Sequence, residues 1–122
     1  MKNMKILYII TSTDVGGAEK ALAELAAFTA KEHTVKVLSL KPLGPVARAL
    51  QAAGVEVASL NMQWYSQTRI IQKLSAAVEA FRPDIVHAML YRGIEYARTA
   101  CAGKGIKLIT TPHFDLSKKN FA

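Results

Sequence analysis

The sequence predicts one α/β domain of the doubly wound kind: a parallel sheet of about five strands with helices on both faces. Three observations predict it. Short apolar runs alternate strictly with helical stretches from end to end. The connections between them are short, which implies parallel strands joined by helical crossovers. The first run leads directly into Gly16-Gly17 and a helix, the strand–turn–helix arrangement of a ligand-binding sheet edge.

Each element follows from local composition. Met4 to Thr11 is rich in β-branched residues and ends in the polar turn Ser12-Thr13-Asp14, so it reads as a buried parallel strand. Gly16-Gly17 opens a helix whose apolar side is Ala18, Leu22, Leu25, Ala26 and Phe28, with Glu19 complementing the dipole of the first turn. Thr34 to Leu40 is the second strand. Lys41-Pro42-Leu43-Gly44-Pro45 breaks it, and Pro45 starts a short helix that ends at Gly54. Val55 to Leu60 is the third strand, and Asn61 to Gln67 a polar loop carrying Trp64 and Tyr65. Ser66 or Thr68 caps the next helix, whose positions Ile70, Ile71, Leu74, Ala77, Val78 and Phe81 keep the helical period. Arg82-Pro83-Asp84 stops it. Ile85 to Met89 is the fourth strand, Tyr91 to Ala102 the fourth helix, and Ile106 to Thr111 the fifth strand, followed by Pro112-His113-Phe114-Asp115.

At 122 residues, 51% of them hydrophobic, the chain has the size and apolar content of one packed domain. Its formal charge of +7, from 16 Lys and Arg against 9 Asp and Glu, suits an anionic partner such as a nucleotide diphosphate or an anionic membrane surface. The basic residues are scattered, with Lys118-Lys119 the only adjacent pair, and they carry no interleaved aromatic stripe. That argues against nucleic acid. Cys101 is the single cysteine, sits among alanines and reads as core filler in a reducing compartment. One cysteine and three dispersed histidines give no metal-ligand spacing. The run Ile6 to Ile10 is too short for a signal peptide, and no stretch approaches the ~20 apolar residues of a membrane span.

In a doubly wound sheet the ligand lies beyond the carboxyl ends of the strands, where strand order reverses. The residues there are the candidates. Gly16 and Gly17 let backbone N–H groups approach a phosphate at a helix N-terminus; the bland alternative is a tight turn. G-x-G-x-x-G and G-x-x-x-x-G-K-[ST] are both absent. His113, just past the fifth strand, is placed to donate to a developing charge or a substrate hydroxyl. His87, inside the fourth strand, reads as a hydrogen-bonded core histidine. His33 falls at the opposite end of the sheet, facing solvent. Trp64 and Tyr65 either stack on a sugar or lipid-facing groove or pack their own loop down. Arg69 and Arg92 lie near the same edge, within reach of an anionic group, or serve as ordinary surface charge.

Taken in order, Val15-Gly16-Gly17-Ala18-Glu19, Gly54-Val55-Glu56-Val57, Arg82-Pro83-Asp84-Ile85-Val86-His87-Ala88 and Thr110-Thr111-Pro112-His113 resemble the N-terminal domain of a family 4 retaining glycosyltransferase. The resemblance spans Met4 to about Phe114. It implies a Rossmann-like domain, the first of the two in the GT-B fold, that binds the acceptor and part of the donor diphosphate. It sets Gly16 and Gly17 against the donor diphosphate and makes His113 the catalytic residue beside the transferred sugar. The acceptor surface would take in Trp64, Tyr65, Arg69, His87 and Arg92. Where many members have a second histidine two residues after the fourth-strand one, this chain has Met89. No cofactor is implied: the nucleotide-diphosphate sugar is the donor substrate, and no metal is expected.

The family's donor-binding domain, with its paired glutamates, is not in this sequence, nor are the last strands of the first domain. The chain therefore reads as a piece of a cytoplasmic enzyme, with peripheral contact at the inner membrane face as a further expectation. On its own it is expected to be catalytically silent. The fifth strand becomes an open edge, so self-association is expected too. Two other functions compete. A flavodoxin-like nucleotide- or flavin-binding module finds only a loose echo of its loop in Thr11-Ser12-Thr13, because Asp14-Val15 follow. A phospho-receiver needs an acidic residue ending the third strand, where Leu60 and Asn61 stand, and a lysine ending the fifth, where Thr111-Pro112-His113 stand.

Overall fold

The computed structural model describes residues 3–11, 17–61, 67–89 and 91–111. Its elements are β1 (Lys5–Ile10), α1 (Gly17–Thr29), β2 (Thr34–Ser39), α2 (Pro45–Ala52), β3 (Glu56–Ser59), α3 (Gln67–Phe81), β4 (Ile85–Met89), α4 (Tyr91–Cys101) and β5 (Lys107–Thr111). They form one sheet in the order β3-β2-β1-β4-β5, with every neighbouring pair parallel. The doubly wound expectation holds. The order follows the first five strands of the Rossmann order 3-2-1-4-5-6, not the 2-1-3-4-5 order of flavodoxin-like and receiver domains. Neither competing fold therefore describes this chain.

Handedness explains where the helices lie. From β1 the chain steps outward to β2 and β3, then crosses back to β4 and steps the other way to β5. Right-handed crossovers in opposite directions put their helices on opposite faces. Ile6, Tyr8 and Ile10 of β1 accordingly pack with Leu22 and Ala26 of α1 and Val46 and Leu50 of α2. Leu7 and Ile9 pack with Leu74 and Val78 of α3 and Ala97 and Ala100 of α4. β1 is central and buried on both faces, which is why its sequence is a continuous apolar run and not an alternating one.

The ends of the elements follow their caps. α2 begins at Pro45 after Gly44, as its first-turn proline requires. It closes in a Schellman turn: the Gly54 N–H donates to the Gln51 carbonyl and the Val55 N–H to the Leu50 carbonyl, each at 3.0 Å. Gly54 holds φ +86°, and the buried Val55 packs beside Leu50. Val55 thus belongs to the turn, and β3 starts one residue later than its composition suggests. α3 starts at Gln67, so Thr68 lies within the helix and does not cap it; Ser66 lies outside the described residues. α3 stops at Phe81, with Arg82 at φ +54° before Pro83.

His33 is only partly exposed, contrary to the expectation of a solvent-facing side chain: its Nδ1 accepts the Met4 N–H at 3.1 Å and ties down the entry to β1. Cys101 is buried in the α3/α4 core, as expected; burial pushes its thiol pKa up, against a smaller opposing effect of Lys104. Among the described residues no helix is long and apolar enough to cross a membrane.

Candidate functional site at the carboxyl edge of the sheet

Because every strand is parallel, the carboxyl ends of all five lie on one edge, and α1, α3 and α4 begin there. Strand order reverses between β1 and β4. The edge is well tied beside that point. The Leu40 N–H donates to the Ile10 carbonyl at 3.0 Å, and the Lys41 N–H to the Thr11 carbonyl at 2.9 Å, so pairing runs one step past β1. The Lys41 carbonyl accepts from Ser39 Oγ at 2.8 Å and Ser59 Oγ at 2.7 Å, and the Asn61 N–H donates to Ser59 Oγ at 2.8 Å. Ser39 is fully buried with its hydroxyl satisfied in this way.

Gly17 is the first residue of α1, so the positive end of the helix dipole stands directly after β1 at the reversal. That is the setting in which backbone N–H groups hold an anion. Gly16, Trp64, Tyr65 and His113 lie outside the described residues. Arg69 is exposed in the first turn of α3. Arg92 is the second residue of α4, with its side chain outside the described set. α3 and α4 pack side by side, so the backbone puts both arginines on one face of the sheet, at its carboxyl edge.

His87 belongs to the other face. Val86 and Ala88 pack with α3 and α4, so His87 between them points toward the α1 side. There its ring meets the Tyr8 ring at 5.5 Å between centroids. The structure therefore does not bring His87 together with Arg69. His87 Nε2 lies 2.8 Å from Thr111 Oγ1, and burial lowers the imidazolium pKa below its ordinary value. Tyr8, 2% exposed, places its hydroxyl 3.1 Å from Thr29 Oγ1. Thr29 Oγ1 in turn donates back to the carbonyls of Leu25 or Ala26, at 3.0 and 3.2 Å, which leaves the Tyr8 hydroxyl as donor to Thr29. Burial raises the Tyr8 pKa, an effect partly offset by the Thr29 bond. The result is a row of polar side chains across α1, β1, β4 and β5. Sequence reasoning named His87 alone. The signal for the rest was parity: Tyr8, His87 and Thr111 all occupy the same face of successive strands.

A cavity of about 400 Å³ opens at the opposite edge, lined by Val78, Glu79, Arg82, Pro83, Lys104 and Ile106. The carboxyl ends of α3 and α4 point into it, and Lys104 Nζ donates to the Ala100 carbonyl. Lys104 thereby caps the last turn of α4, which ties this cavity to the local structure of the fold. Among the described residues no group of three His, Cys, Asp or Glu is placed to hold a metal ion.

Comparison with known proteins adds the family. The fold is similar to a glycosyltransferase from Rickettsia africae ESF-5, with TM-score 0.71 and 16% identity over 90% of this chain and 30% of that one. It is also similar to MurG of Acinetobacter baumannii, with TM-score 0.68 and 14% identity over 88% of this chain and 34% of that one. A triple-mutant deacetylase of teicoplanin biosynthesis gives TM-score 0.70 and 12% identity over 97% of this chain and 68% of that one. At such identities the likeness concerns the fold alone, and the deacetylase shows that the fold carries more than one chemistry. This chain spans about a third of the length of the two glycosyltransferases. No curated protein sequence matches it. The model of Glycosyltransferase Family 4 matches residues 15–121, nearly the whole chain. On that match, joined to a Rossmann-ordered sheet whose reversal point faces the start of α1, the chain belongs to Glycosyltransferase Family 4.

Proposed function

We propose that this domain is the acceptor-side, N-terminal half of a retaining glycosyltransferase that uses a nucleotide-diphosphate sugar. The observation that carries the reading is the reversal of strand order between β1 and β4, immediately beside the N-terminus of α1, in a chain of this family. The donor diphosphate would meet the backbone of Gly16 and Gly17, where the helix dipole favours its charge. His113, one residue beyond the proline that follows β5, would donate a hydrogen bond to the transferred sugar as charge develops on it. Arg69 and Arg92, from two adjacent helices at the same edge, suit the anionic part of an acceptor; Trp64 and Tyr65 would supply its stacking surface. The +7 charge supports an anionic partner, whether nucleotide or membrane surface, and a cytoplasmic, membrane-peripheral location belongs to the same reading.

In this reading one domain supplies one wall of a two-domain cleft. The 122-residue chain alone would bind a nucleoside diphosphate weakly and transfer no sugar. Titration of the isotopically labelled chain with UDP, GDP and inorganic pyrophosphate, followed by amide NMR, tests it. Shifts are expected at Gly16, Gly17 and His113, with none at Arg82 or Lys104 on the opposite edge. Equal shifts at both edges, or none, would count against a diphosphate site, and glycosyl transfer by the isolated chain would contradict the two-domain reading.

A further inference from the structure

β5 is one of the two edge strands of the sheet. Among the described residues it is the outermost strand on its side of the sheet and pairs with β4 alone. α4 covers one of its faces through Ile106 and Leu108. On the other face Lys107 and Ile109 are exposed, Ile109 at 38%. Thr111, the last residue of β5, lies on that same open face. The residue that leads toward His113 therefore receives little from hydrophobic packing.

Besides the backbone pairing with β4, a side-chain bond holds it there. In the parallel register His87 stands opposite Ile109, and Thr111 stands opposite Met89. The His87 ring thus reaches diagonally, toward the carboxyl edge, to meet Thr111 Oγ1 at 2.8 Å. The ring is itself held against Tyr8, and Tyr8 is anchored to the end of α1 through Thr29. Rigid elements on one side of the row thus lead by three side-chain contacts to the end of a weakly packed strand on the other. We propose that His87 is a positioning residue: through Thr111 it sets the carboxyl end of β5 and, with it, the Pro112-His113 step that follows. This gives the fourth-strand histidine a task different from touching the acceptor. Its bearing on sugar transfer rests on the proposed function; its bearing on β5 does not.

The test uses the 122-residue chain and four variants: His87→Leu and Thr111→Val, which break the bond, and His87→Gln and Thr111→Ser, which can remake it. The first readout is amide hydrogen exchange. In His87→Leu and in Thr111→Val, exchange at the β5 amides that pair with β4 is expected to rise about tenfold, while β1 and β2 keep their protection. The conservative variants restore it. The second readout is the His113 imidazole NMR signal. It is expected to move in both bond-breaking variants and to stay in place in Gly54→Ala, which weakens the fold at a distant turn. Unchanged β5 exchange would overturn the inference. So would exchange that rises equally in β1, β2 and β5, because that is loss of global stability. A stationary His113 signal would confine His87 to supporting β5 and refute its positioning role. None of these outcomes depends on whether the chain binds a nucleotide, so failure of the diphosphate titration would leave this inference standing, and the reverse.

Discussion

The Lys5 N–H donates to Asp84 Oδ2 at 2.8 Å while the Asp84 N–H donates to the Lys5 carbonyl at 2.7 Å. This reciprocal pair joins the first residue of β1 to the residue before β4, the two strands between which the sheet reverses. It sets their register from the amino end, and so sets which residues face each other at the carboxyl end.

Replacing Asp84 with Ala should therefore destabilise the domain by about 0.5–1.5 kcal/mol, the range for a hydrogen bond lost at an exposed site. Urea unfolding checks it. Asp84→Asn, which keeps an acceptor oxygen, should recover about half of the loss. A midpoint unchanged in Asp84→Ala would show that the pair is incidental.

Gly54→Ala should cost about 1 kcal/mol. Nothing lies within 4 Å of the added Cβ, so the penalty is conformational: φ of +86° is unfavourable for an L side chain. Asn at the same position should be milder, since it tolerates the left-handed region better. The comparison of the two by thermal unfolding separates backbone strain from steric clash.

Tyr8→Phe should cost about 0.5–1.5 kcal/mol, toward the lower end, because Thr29 keeps its own backbone acceptors when the phenol is lost. Tyr8→Ala should cost several times more, since it also opens a cavity beneath α1. Denaturant titration of both variants measures the hydroxyl and the ring separately.

Stability should fall as pH falls from 7 toward 5. Burial holds the His87 pKa below 6.5 in the folded state, so in this window the unfolded chain binds more protons. The native state is at no disadvantage above that range and loses ground as pH drops through 6.5 and then through the folded value. His87→Gln should remove this part of the slope. Unfolding midpoints of both proteins at pH 7.5 and 5.5 decide it; parallel losses would exclude His87 as a source.

β5 should mediate self-association. Among the described residues its outer edge pairs with no strand, and Ile109 is exposed beside it. Light scattering should show mass rising with concentration, and Ile109→Lys should suppress the rise. A monomer at millimolar concentration would refute the expectation.

Much of this structure is legible in the chain. The five strands and four helices, their parallel class and the proline and glycine that bound α2 follow from local periodicity and turn chemistry. β1 is recognisable as central because its run Ile6 to Ile10 does not alternate. Legibility fails at the ends, where Val55 goes to a capping turn and Thr68 to the first turn of α3. There, hydrogen bonds between residues already brought together decide the boundary, and residue type does not.

The sequence by itself determined the alternation of elements, the two-faced burial of β1 and the placement of Gly17 at the head of a helix. These depend on residues near one another along the chain. Only the tertiary structure decided the order β3-β2-β1-β4-β5, which excludes the flavodoxin-like alternative, because parallel pairing joins strands that are distant in sequence. It alone turned His87 away from the face that carries Arg69 and toward Tyr8 and Thr111. A one-residue shift in the β1–β4 register would have reversed that choice, and the register is held by bonds such as Lys5 to Asp84, 79 residues apart.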